Sequence, residues 1–212
     1  MKINKIGHCC LVIEIEGKKI MTDPGGYTTG QTDISGLDYI LITHEHGDHI
    51  HIESLKKVLE NNPNTKIITN SAVKKLLDEA NIVCGVLEEG ELDIGGIKLF
   101  AKTCPHADIF DNVTPVQNTG YMIADKLFYP GDAWLELGIP VPVLALPVAG
   151  PWSKIRDVLE YAIRINPENA FPVHDGMLID GRFGPLHTLT EKVLAGKNIK
   201  FTALKAGESV EY

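Results

Sequence analysis

The chain has 212 residues, 44% of them hydrophobic and 23% charged, which suits a soluble globular protein with one well-buried core. A formal net charge of −8 argues against a large nucleic acid as partner, because affinity for such a partner comes from many lysine and arginine contacts to phosphate. No window approaches the roughly 18 apolar residues of a membrane span, and Met1–Lys5 leads directly into strand-like sequence rather than a leader's apolar core, so the cytoplasm is the expected location and no membrane partner is expected.

In chain order, Lys2–Ile6, Cys10–Glu16 and Lys18–Met21 read as strands with a hairpin turn at Glu16-Gly17-Lys18. The polar, turn-rich stretch from Asp23 to Gly36 reads as a loop. The apolar run Tyr39–Ile42 is a buried strand, followed by a short helix near Glu53–Glu60 and a strand at Lys66–Thr69. A helix runs from Ser71, its expected N-cap, to about Ala80. Strands follow near Val83–Val86, Glu91–Ile94 and Ile97–Lys102. Gly120–Ala124 and Lys126–Tyr129 form a second hairpin turning at Asp125. Val143–Leu146 is a strand, and Ile155, Val158, Leu159, Ala162 and Ile163 set a helical stripe within Trp152–Ile165. Asn169–Val173 is a strand, Leu189–Leu194 a short helix, and Phe201–Leu204 with Ser209–Glu211 close the chain. Two blocks of strands with helices outside them predict two layers of sheet in a single domain over residues 1–212.

The most informative stretch is Thr43-His44-Glu45-His46-Gly47-Asp48-His49, where three imidazoles and a carboxylate follow the strand Tyr39–Ile42. The carboxyl end of a strand is where α/β proteins place their chemistry. Three further ligand-type side chains also follow strands: His106 in Cys104-Pro105-His106, Asp132 after Leu127-Phe128-Tyr129, and His174 after Phe171-Pro172-Val173. A closed structural zinc site needs four ligands. His44, His46, Asp48, His49, His106, Asp132 and His174 suffice for two metals with open positions, and the absence of cysteine among them favours a hydrolytic zinc, manganese or iron site. The four cysteines (Cys9, Cys10, Cys84, Cys104) read as reduced thiols, since vicinal Cys9 and Cys10 point to opposite faces of a strand.

In this ordered set, which also includes Asp23, the chain resembles the metallo-β-lactamase superfamily along essentially its whole length. Ile6-Gly7-His8, Thr22-Asp23-Pro24, Tyr129-Pro130-Gly131-Asp132 and Leu204-Lys205-Ala206-Gly207-Glu208 are similar to a compact branch of metal-dependent hydrolases related to the L-ascorbate-6-phosphate lactonases. The resemblance implies an αββα sandwich of two mixed β-sheets with helices on the outer faces. It implies two divalent ions, zinc foremost with manganese or iron as alternatives. His44, His46 and His106 would hold one ion, Asp48, His49 and His174 the other, and Asp132 would bridge them. Asp23 would orient a ligand from behind. The chain departs from the usual family pattern at His106-Ala107-Asp108 and at Ala133-Trp134, which bears on the substrate rather than the metals.

The expected activity is attack by hydroxide held at a dinuclear centre on a small ester-, lactone- or phosphodiester-type substrate, anionic or ester-like, with Asp48, Asp132 and His8 in catalytic roles. The alternatives are a phosphodiesterase or nuclease acting on small nucleotides, a mononuclear iron dioxygenase, and a non-catalytic binding protein. His8 is placed near the substrate, with a structural role as the alternative. His187 is placed in a loop that could fold over the site, with a structural or surface role favoured, Trp134 and Trp152 in a pocket wall or the core, and His51 outside the metal set as a solvent-facing start of a helix.

Overall fold

A computed structural model describes residues 1–179 and 181–212. Two seven-stranded mixed sheets stack face to face, each with helices on its outer side. In the first sheet, β1 (Lys2–Gly7), β2 (Cys10–Ile15) and β3 (Lys18–Thr22) form an antiparallel meander. It continues in parallel through β4 (Tyr39–Leu41), β5 (Lys66–Thr69) and β6 (Gly85–Val86). The second sheet repeats the plan. An antiparallel run of β7 (Glu89–Asp93), β8 (Lys98–Pro105), β9 (Gln117–Ile123) and β10 (Leu127–Tyr129) passes into parallel β11 (Val143–Pro147), β12 (Asn169–Val173) and β13 (Lys200–Phe201). The terminal β14 (Ser209–Glu211) returns to pair with β1.

Period-2 patterning decides which face each strand buries. Ile3, Leu11, Ile13, Ile20 and Leu41 meet Leu99, Tyr121, Ile123, Tyr129, Ala145 and Phe171 between the sheets. The alternate residues Cys10, Val12, Met21, Ile40 and Ile42 face α1 (Ile52–Asn61) and α2 (Ser71–Glu79). On the far side Phe128, Leu144, Leu146 and Ala170 pack under α3 (Ile155–Ile165) and α4 (Gly184–Ala195). Cys9 and Cys10 therefore belong to opposite faces of the first sheet, and all four cysteines are free. The predicted hairpin at Glu16-Gly17 is a two-residue turn with positive φ at both residues (51° and 77°), the form that matches strand twist, while the second joins Ile123 to Leu127 through Ala124, Asp125 (φ 54° and 52°) and Lys126.

Several boundaries differ from expectation. The N-cap of α2 is Asn70 rather than Ser71, its side chain accepting from Val73 N at 3.0 Å. Helix α3 begins at Ile155, so Trp152 lies in the preceding turn. Helix α4 begins at Gly184 with Pro185 in its first turn, which places His187 on a helix rather than in a loop. The strand expected near Val83 is reduced to Gly85–Val86, leaving Val83 exposed. Among the described residues, no helix is long and apolar enough to cross a membrane.

Candidate metal centre

Each ligand-type side chain stands just beyond the carboxyl end of a strand: Asp23 after β3, His44–His49 after β4, His106 after β8, Asp132 after β10 and His174 after β12. The sheets bring these ends together. His44, His46 and His106 place one nitrogen each within 4.8 Å of one another, and His44, His49 and Asp132 form a second such group. His49 Nε2 lies 3.3 Å from Asp132 Oδ1, while His106 Nε2 and His174 Nε2 lie 3.5 and 2.7 Å from Asp132 Oδ2. Asp48 Oδ2 is 3.4 Å from His174 Nε2. All seven expected ligand residues thus converge, with Asp132 among them in contact with His49, His106 and His174.

The backbone brings these groups close by using glycine where nothing larger fits. A Cβ on Gly25 would stand 1.7 Å from Asp48 O, so the loop after β3 can lie directly on the turn carrying Asp48 and His49. Gly131 has φ +66°, and a Cβ there would meet Asn118 Oδ1 at 2.2 Å. Asn118 is buried and holds the turn of Asp132, accepting from Asp132 N at 3.1 Å and donating to Pro130 O at 2.9 Å.

Hydrogen bonds on the outer side of the rings set which nitrogen faces inward. Asp23 accepts from His49 Nδ1 at 2.7 Å, Thr43 Oγ1 at 2.8 Å and Tyr129 OH at 2.6 Å through Oδ2, and from Thr43 N at 2.8 Å through Oδ1. Thr43 Oγ1 is then free to accept from His44 Nδ1 at 3.0 Å, and His106 Nδ1 donates to Ala107 O at 2.7 Å. With the outer bonds made through Nδ1, Nε2 of His44, His49 and His106 turns toward the centre, the nitrogen each would offer a metal. His49 Nε2, Asp132 Oδ1 and both ring nitrogens of His174 are buried without a hydrogen-bond partner. Orphaned donors and acceptors of this kind are costly unless a cation occupies the space they face. The donor set fits metal binding.

The electrostatics agree. Burial would lower the pKa of His49 and His174, but the Asp132 carboxylate reverses this and holds both well above the ordinary imidazole value in the absence of a cation. Burial would raise Asp132, yet His49 and His174 keep it well below the usual carboxylate range. His44, with no carboxylate as close, is driven well below by burial and by His49. The site demands positive charge, from protons or from metal.

His8 is buried, at φ +26°, and its ring accepts from Gly176 N at 3.0 Å through Nδ1. Its Nε2 therefore carries the proton and faces Asp48 Oδ2 at 3.3 Å. His8, expected near the substrate, thus contacts Asp48 and is not among the residues that wall the cavity. His51 caps α1 at the surface, its ring 2.8 Å from Ser54 Oγ and outside the ligand set. The cavity at the centre, about 190 Å³, is walled by Tyr27, Ile109, Pro151, Trp152 and Met177 beside His46, Asp48, His106, Asp132 and His174. Trp152 sets its ring edge-on to His106 and His174, and Trp134 packs behind it. Tyr27, Ile109 and Met177 belong to loops whose sequences carry no pattern of their own, so only the fold brings them to the cavity.

The sequence matches the family described as the beta-lactamase superfamily domain over residues 2–174. The chain belongs to the metallo-β-lactamase superfamily. It is 33% identical over 183 residues to protein Rv0786c of Mycobacterium tuberculosis, an alignment spanning 84% of this chain and 85% of that one. It is 30% identical over 152 residues to a UPF0173 metal-dependent hydrolase of Methanocaldococcus jannaschii, spanning 66% and 68% of the two. Among solved structures, the metallo hydrolase Igni18 from Ignicoccus hospitalis superimposes with a TM-score of 0.74 at 20% identity, covering 99% of this chain and 97% of that one. At that identity the likeness is one of fold: the αββα sandwich expected of this family.

Proposed function

We propose that this metallo-β-lactamase superfamily member is a metal-dependent hydrolase acting on a small ester- or lactone-type substrate at a two-cation centre. The observation that supports the reading is the convergence of buried imidazoles on Asp132, with His49 Nε2 at 3.3 Å from Oδ1 and His106 and His174 Nε2 at 3.5 and 2.7 Å from Oδ2, beside the His44, His46 and His106 group. In this reading His44, His46 and His106 would hold one cation and Asp48, His49 and His174 the other. The name of the Methanocaldococcus relative supports hydrolysis as the reaction class. Divalent cations in such a site supply activation of water near neutral pH and polarisation of a carbonyl or phosphoryl oxygen.

The chain's own residues would divide the remaining work. Asp48 is the more exposed of the two carboxylates lining the cavity, with its side chain 19% exposed against 2% for Asp132, and its Oδ2 lies 3.3 and 3.4 Å from His8 and His174. Asp132 would keep both sets of imidazoles in register. Trp152, Tyr27, Ile109 and Met177 would exclude bulk water and pack against the apolar part of the substrate.

Among the described residues, no lysine or arginine lines this cavity. That favours an uncharged ester, thioester or lactone over a phosphodiester or another anion, which such sites usually grip with cationic side chains as well. The deciding experiment is metal quantification on the purified protein, followed by assay of zinc- and manganese-loaded protein on lactones, thioesters, phosphodiesters and β-lactams. Two metals per chain and hydrolysis abolished by Asp132→Asn are the expected results. One bound iron without hydrolysis would overturn the reading.

A further inference from the structure

Behind the metal centre lies a second buried cluster that touches neither the cavity nor any of the seven inward-facing donors. Lys5 on β1 is 1% exposed, yet its Nζ donates to both oxygens of Asp175 at 2.7 and 2.8 Å, to Pro172 O at 2.8 Å and to Leu204 O at 3.3 Å. His187 on α4 reaches the same carboxylate, with Nε2 3.1 Å from Asp175 Oδ2, and its ring is stacked at 5.3 Å on Phe183. Asp175 is 4% exposed and follows His174 directly. A buried ion pair is weak as a device for stability, since an apolar pair of similar volume often serves as well or better. Its presence points to a geometric task.

The backbone shows what that task is. His174 adopts φ +61°, in the left-handed region that a side chain bearing a Cβ enters at a cost of about 1 kcal/mol or more. On one side this strained turn is tied to His8, through His174 N to His8 O at 3.1 Å and Gly176 N to His8 Nδ1 at 3.0 Å. On the other side Asp175 ties it to β1 and α4. Gly176 packs so closely on His8 that an added Cβ would meet the His8 Cβ at 2.8 Å. The turn is held from both flanks, and in this backbone conformation the imidazole it presents reaches Asp132 and Asp48.

We propose that Asp175, braced by Lys5 and His187, is a positioning residue that fixes His174 for the cation held with Asp48 and His49. The brace links that ligand to β1 and α4, two elements with no side chain in the cavity wall. It rests on the two-cation reading above.

Cobalt(II) titration of metal-stripped protein tests it, with calorimetric affinity and the visible d–d spectrum as readouts. The wild type takes up two equivalents. Asp175→Asn is expected to weaken one of the two by about 10- to 100-fold and alter its spectrum, leaving the other unchanged. The double variant Lys5→Met/Asp175→Leu removes both buried charges, so it keeps the core closed while losing the brace. The same selective loss is expected of it, and a smaller one of His187→Gln. A cooperatively folded Asp175 variant that binds both equivalents as the wild type does would overturn the proposal. If neither Asp175 variant folds, unchanged cobalt affinity in His187→Gln overturns it equally. Failure of the wild type to bind a second equivalent would instead remove the two-cation reading itself.

Discussion

His8 Nε2 points at Asp48 Oδ2 across 3.3 Å, and the amide of Gly176, donating to His8 Nδ1 at 3.0 Å, forces the proton onto that nitrogen. The imidazole is thereby held as a donor to Asp48, a carboxylate that lines the cavity. His8→Ala removes that donor and leaves Asp48 free to rotate. Metal affinity is expected to fall about tenfold, within the range seen when the partner of a ligand is lost. Competition against a chelator of known affinity measures it. Unchanged affinity would place His8 among purely structural residues.

Four donors converge on Asp23, three of them on a single oxygen. Asparagine offers one acceptor oxygen, and its NH₂ would then face the amide of Thr43. Asp23→Asn is expected to cost about 2–3 kcal/mol of folding stability in the metal-free protein. It should also weaken metal binding by about 10- to 100-fold, because the His49 tautomer loses its acceptor. Chemical denaturation and metal titration read the two effects separately, and loss of stability without loss of affinity would contradict the assignment.

Gly25 is required by proximity, with room for no side chain between it and Asp48 O. Gly25→Ala must push the two loops apart, at a cost of about 3 kcal/mol. Because the displaced loop carries Asp48 and His49, metal stoichiometry is expected to fall with it. A variant that melts and binds metal as the wild type does would refute this.

Metal and proton compete for the same nitrogens. His49 and His174 have pKa values raised above 6.5 by Asp132 in the metal-free protein. A group whose folded pKa is raised contributes stability that is fully present below its unfolded value and lost as pH rises through the folded one. The metal-free protein should therefore melt lower as pH climbs from about 6.5. Metal affinity should rise over the same window, since the ligands must be deprotonated. The gap in melting temperature between zinc-loaded and metal-free protein is expected to widen with pH. A gap that narrows from pH 6 to 8 would contradict this account.

Much of the site was legible in the primary structure because metal chemistry restricts residue type and spacing. The run from His44 to His49 follows an apolar strand, and Asp23, His106, Asp132 and His174 each follow one too. A strand-end position is a local property, readable from a hydrophobic run and the residue after it. The outer hydrogen-bonding role expected of Asp23 has its geometric counterpart in the acceptor set around His49.

The tertiary structure decided what depends on distant partners. His8 reads locally as a residue after a turn, and only the packing of Gly176 against it turns its ring toward Asp48. Ser71 and Asn70 are both good caps, and Asn70 takes the role because it also donates to Thr43 O at 2.8 Å from within the core. Trp152 fits the helical stripe that follows it, yet it leaves that helix to cover His106 and His174. Lys5 would pass for a surface residue of an amphipathic strand, since Asp175 lies 170 positions away. The sequence by itself determined the sandwich and picked out the histidines and aspartates that converge at the strand ends, because residue chemistry and period-2 burial are local. Which face each ligand presents, what walls the cavity and what braces His174 arise only when two sheets close on each other, because those contacts join segments far apart in the chain.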